Sequence, residues 1–127
     1  TDGNNGGTDI WILKLNSDGT KAWDKTYGGS DSEYAASILQ TIDGGYIMAG
    51  STESYDGDIS DVNNGIEDFW LLKLNPDGSL AWDKTYGGSG WDRAEHILQT
   101  SDGGYILVGN EYFFTDLLIF KLNNNGD

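Results

Sequence analysis

The residues with the clearest chemical potential lie between Ser51 and Trp70, in the stretch STESYDGDISDVNNGIEDFW. Acidic and amide side chains alternate there with Gly, which is the composition a hard cation such as Ca²⁺ draws on for an oxygen shell. Asp56, Asp58, Asp61, Asn63 and Glu67 are the candidate ligands, inside an acidic loop spanning 52–67. The alternative is a solvated loop whose Asp and Asn shape turns. Part of the pattern recurs at the amino terminus, where Asp2, Asn4, Asn5, Gly6 and Asp9 align with Asp61, Asn63, Asn64, Gly65 and Asp68.

A second group surrounds the single histidine, His96, with Glu95 before it and Arg93 further back. On a strand, alternation sends Arg93 and Glu95 to one face and His96 to the other, which argues against a joint catalytic role. Trp91, Arg93, Glu95, His96, Tyr112 and Phe113 are instead candidates for a shallow ligand site, in which aromatic faces stack on a sugar and polar groups hold it. There is no cysteine, and Arg93 is the only arginine. Thiolate chemistry is therefore absent, and so is the arginine cluster that holds a carboxylated sugar. The sequence points to a protein that is not an enzyme.

These groups sit on a scaffold that repeats. Leu13–Gly50, LKLNSDGTKAWDKTYGGSDSEYAASILQTIDGGYIMAG, returns as Leu72–Gly109, LKLNPDGSLAWDKTYGGSGWDRAEHILQTSDGGYILVG. A third copy opens at Asp116 with DLLIFKLN. Near-identical units of this length usually stack, since none can bury its apolar face alone. Nineteen Gly against one Pro, with beta-branched and aromatic runs between Asp-Gly and Gly-Gly, predict short strands joined by tight turns. One unit reads as strands at Ala36–Thr41, Tyr46–Ser51, Asp68–Asn75 and Ser79–Tyr86. SEYAASILQ lacks the pattern of a capped helix and reads as a strand. FWLLKL is apolar on both faces apart from its Lys and suits a middle strand covered on both sides. The recurring Lys14, Lys73 and Lys121, with Asp24 and Asp83, suggest structural ion pairs.

The run L-N-x-D-G-x-x-x-W, followed by Y-G-G and D-G-G-Y-I, is similar to β-propeller repeats of bacterial and archaeal cell-surface and secreted proteins. More distantly it resembles the Trp-motif blades of quinoprotein-like propellers. The resemblance implies an all-β chain of four-stranded antiparallel blades: a partial blade at 9–29, a full blade at 30–88 and a partial blade at 89–123. That makes about two and a quarter blades, fewer than the four to eight of a closed ring. Other copies of the chain, or the remaining blades of a parent protein, would be its partners. The same resemblance implies an extracellular or cell-surface location and a structural, adhesive or interaction role, with a lectin-like propeller as the alternative. The stretch from Asp56 to Glu67 also resembles an EF-hand loop at its first, third, fifth and twelfth positions. It departs at the sixth, where Asp61 replaces Gly.

Composition narrows the partners. Of 127 residues, seven are Lys or Arg and 21 are Asp or Glu, for a formal net charge of −14. Such a field repels nucleic acid and anionic lipid and attracts cations. No run of residues is long and apolar enough to span a membrane.

Overall fold

A computed structural model describes residues 3–112 and 116–127. These residues form an all-β structure of nine strands in three antiparallel sheets. The first sheet pairs β1 (Ile10–Leu15) with β2 (Lys21–Tyr27). The second runs in chain order through β3 (Glu33–Gln40), β4 (Tyr46–Thr52), β5 (Asp68–Leu74) and β6 (Leu80–Tyr86). The third holds β7 (Asp92–Gln99), β8 (Tyr105–Glu111) and β9 (Asp116–Leu122). Both copies of the segment resembling SEYAASILQ are strands. β3 starts earlier than Ala36 because Glu33 already pairs with Thr52, and a register shift between Ala35 and Ser37 absorbs the difference.

One local device turns the chain five times. At Asn16–Gly19, Thr41–Gly44, Asn75–Gly78, Thr100–Gly103 and Asn123–Gly126 the glycine amide donates to the carbonyl three residues back. Each of these glycines has φ between 82° and 84°, where a Cβ is strained, which explains the invariant Gly of the Asp-Gly pairs. In the first four an Asp beside the glycine fixes the turn: Asp77 accepts the amide and hydroxyl of Ser79 at 3.0 and 2.6 Å, and Asp18 does the same for Thr20.

The core lies between sheets. Ile10 and Tyr27 of the first sheet pack on Met48, Trp70, Leu72 and Leu74 of the second. Phe69, Leu71, Ile47 and Ala49, from the opposite face of that second sheet, pack on Ala94, Ile97, Tyr105 and Leu107 of the third. β5 is therefore buried at every residue, as expected of a middle strand covered on both faces. Part of the expected ion pairing is present: Lys73 meets Asp43 at 2.9 Å and Lys121 meets Asp102 at 3.1 Å. Asp83 differs. It is buried and accepts bonds from the Ser60 amide at 2.9 Å and the Trp70 indole at 3.1 Å, because the loop after β4 folds over it. Lys14 likewise donates to the Leu15 carbonyl at 2.7 Å.

Candidate functional site

The junction between sheets is built from residues that recur, and it is built the same way twice. Trp23 of β2 lies on Gly78, in the turn of the second sheet, and its indole donates to the Pro76 carbonyl at 3.1 Å. Tyr27 donates its hydroxyl to the Gly78 carbonyl. Trp23 also meets Tyr46 edge-on, with ring centroids 5.6 Å apart. In the next junction Trp82 lies on Gly126, Tyr86 donates to the Gly126 carbonyl and Trp82 meets Tyr105 at 6.4 Å. The repeated AWDKTY is thus a clamp that closes on the Asn-x-x-Gly turn of the following sheet. Burial pushes the Tyr86 phenol up to about 12, further toward the protonated form that donates this bond.

The proposed cation ligands of loop 52–67 engage separate partners. Asp56 accepts from the Ser30 amide at 2.8 Å and Asp58 from the Gly28 amide at 3.1 Å. Asp61 accepts from its neighbour Val62 and from Thr85, at 2.9 and 3.4 Å. Asn63 is buried, donating to the Thr52 and Ser54 carbonyls and accepting from Gly65. Glu67 is fully buried against Arg93. Among the described residues no three acidic or histidine side chains converge as metal ligands, and these five form no common oxygen cage as they are arranged.

The ligand candidates divide. Arg93 sets its Nε against both Glu67 oxygens, at 2.9 and 2.8 Å. Its guanidinium carbon lies 5.6 Å from the ring of Tyr34, 5.8 Å from Trp91 and 5.7 Å from Tyr112. The structure thus joins Trp91, Arg93 and Tyr112 in one half-exposed group, and adds Tyr34 and Glu67. Glu95 and His96 lie elsewhere: Glu95 accepts from Asn110 at 3.2 Å, and His96 Nδ1 sits 3.2 Å from the Ser37 hydroxyl. Phe113 is outside the described residues.

One constellation lies across the sheet junctions and outside any single loop. Asp9 just before β1 and Glu33 at the start of β3 both crowd Gly28. Asp68 at the start of β5 and Asp92 at the start of β7 both crowd Gly87. The signal was present in the repeat, since Glu33 and Asp92 occupy equivalent positions and so do Asp9 and Asp68. It was not recognisable as a site because each pair joins two different sheets. A scan of protein-family models finds none that matches the chain, and a search of curated proteins finds no match.

Proposed function

We propose that the chain is a non-enzymatic interaction module built of propeller-type blades, acting at the cell surface or outside the cell and associating with further blades, including those of its own copies. The observation that carries this is the clamp, which joins each sheet to the next by one repeated contact. The blade comparison adds the radial stacking of four-stranded units, and the second sheet has that strand count and order.

The end sheets display what further copies would cover. Trp11, Leu13 and Leu15 are 57%, 42% and 46% exposed, although their counterparts Trp70, Leu72 and Leu74 pack against the first sheet. Leu117 and Ile119 are likewise exposed, although their counterparts Phe69 and Leu71 pack against the third. The two open faces are the two halves of the internal junction, so copies docking head to tail form a ring or an open filament. Sedimentation equilibrium is the test. Multiples of the 13.8 kDa chain, reduced to monomer by Leu13→Lys or Ile119→Lys, support the proposal; monomer at every concentration rejects self-association.

A second reading, a carbohydrate-binding module, is favoured by the aromatic frame around Arg93. A glycan array with wild type and Trp91→Ala separates the two readings, since only the second expects glycan signals that the substitution removes. For calcium in loop 52–67 only the donor chemistry speaks. A melting temperature that Asp56→Asn makes insensitive to Ca²⁺ is the result that would support it.

A further inference from the structure

Each sheet junction brings two carboxylates over the Cα of one glycine. At the second junction Asp68 is completely buried and Asp92 is 1% exposed. Asp68 Oδ2 accepts the Asn64 amide at 2.6 Å, whereas its Oδ1 is buried without a hydrogen-bond partner. Asp92 Oδ2 accepts the Gly88 amide at 2.7 Å. A Cβ on Gly87 would lie 2.4 Å from Asp68 Oδ1 and 2.7 Å from Asp92 Oδ2, so both oxygens lean over the same bare Cα. Backbone oxygens close in from the other side: a Cβ on Gly65 would lie 2.6 Å from the carbonyls of Gly88 and Gly90 and 2.8 Å from Asp68 Oδ1.

The first junction repeats part of the arrangement, with Glu33 in the place of Asp92 and its other oxygen accepting the Thr52 hydroxyl at 2.8 Å. Asp9 Oδ2 accepts the Asn5 amide at 2.7 Å and Asp9 Oδ1 is buried without a partner. Glu33, 1% exposed, accepts the Gly29 amide at 3.0 Å through Oε2. A Cβ on Gly28 would lie 2.4 Å from that Oε2 and 2.5 Å from Asp9 Oδ1. Two occurrences with the same orphaned oxygen make an accident of side-chain placement a poor explanation. Arg93, next to Asp92 in β7, is already engaged by Glu67. A buried carboxylate oxygen without a protein partner calls for a water, a proton or a cation.

We propose that each pair, Asp9 with Glu33 and Asp68 with Asp92, binds one Ca²⁺ ion that staples a sheet to its successor. Calcium takes carboxylate and backbone carbonyl oxygens in flexible geometry, whereas Mg²⁺ demands a near-ideal octahedron and keeps its water. The acidic field of the chain concentrates such a cation at the surface. The site differs from loop 52–67 in every proposed ligand, and the invariant Tyr-Gly-Gly has a reason: a side chain on Gly28 or Gly87 would occupy the space of the carboxylate oxygens.

The test is calorimetric titration of the full, chelator-treated chain with CaCl₂, paired with thermal melting. Saturable binding of one ion per junction is expected, with a melting temperature that rises with Ca²⁺ and responds less to Mg²⁺. Asp68→Asn and Asp9→Asn each remove one ion and leave the other, while Asp18→Asn, in an exposed turn, leaves both. Should Asp68→Asn not fold, Asp92→Asn reads the same junction. Absence of binding heat and of a melting shift at about 10 mM Ca²⁺, above the range used by extracellular calcium modules, overturns the proposal. So does unchanged stoichiometry in Asp68→Asn. If that variant instead alters only the pH dependence of melting, with Ca²⁺ inert, the pair shares a proton and the cation is rejected. The clamp and the association of copies are measured separately and survive either outcome.

Discussion

β5 and β9, DFWLLKL and DLLIFKL, share the same pattern of Asp, four apolar residues, Lys and Leu, and have different surroundings. β5 lies between β4 and β6 within its sheet and between the other two sheets across its faces, and all of it is buried. β9 pairs with β8 alone among the described residues; Leu118 and Phe120 pack inward, while Leu117 and Ile119 are 62% and 63% exposed. Asp68 is completely buried, and its equivalent Asp116 is exposed. Burial here is conferred by neighbours and not by the strand. A repeat sequence states which faces are able to be covered, and position in the array decides which are.

The largest effect that would break this comparison is expected in β5. Leu71→Ala should cost about 3 kcal/mol in urea unfolding, because it empties a site packed on all sides. The equivalent Ile119→Ala should cost about 1 kcal/mol or less, since much of its side chain already meets water. Equal losses would mean that β9 is covered in solution. Next comes the junction that β5 shares with the third sheet. Arg93→Ala strands the buried Glu67 carboxylate and should cost about 2 to 3 kcal/mol, with partial rescue by Arg93→Lys. The first junction has Tyr34 and Thr8 at those positions and offers no equivalent loss.

Smaller effects sharpen the likeness of the two junctions. Tyr27→Phe and Tyr86→Phe each remove one clamp bond and should cost about 1 kcal/mol apiece. A large difference between them would show that the clamps are not equivalent. The smallest effect is electrostatic. Hydrogen bonds from Thr41, Lys73 and Gly45 hold Asp43 down from 3.8 to about 2. Its contribution is therefore complete above the ordinary carboxylate pKa and fades as pH falls from about 4 toward 2. Melting curves of wild type and Asp43→Asn should converge over that window. Asp102→Asn should do the same with smaller amplitude, because Lys121 is 49% exposed and Lys73 is 8% exposed.

Strands and turns were legible because their signals are local. Asp-Gly and Gly-Gly marked the reversals, and the unbroken apolar run of FWLLKL marked a strand covered on both faces. The sites were legible only in part. Trp91, Arg93 and Tyr112 stood out because one repeat has them and the other does not, and the structure gathers them. Tyr34 and Glu67 join them from other strands, across a distance that spacing within one repeat does not encode. The acidic loop drew attention through its density of oxygens, yet Asp56, Asp58, Asp61 and Asn63 each accept a backbone amide and Glu67 pairs with Arg93. The carboxylate pairs were hidden for the opposite reason, since one Asp and one Glu or Asp per repeat look like ordinary surface charge until two sheets meet.

The clamp also bears on how this molecule yields to force. Trp23 and Tyr27 grip a turn 53 and 51 residues ahead, and Tyr86 grips one 40 residues ahead; in no case does a clamp tie the first sheet to the last. Pulled from its ends, such a chain has, among the described residues, no clamp from first sheet to last to break all at once. It should surrender one sheet at a time, giving a sawtooth of small steps, and each sheet should snap back on release against a neighbour still folded.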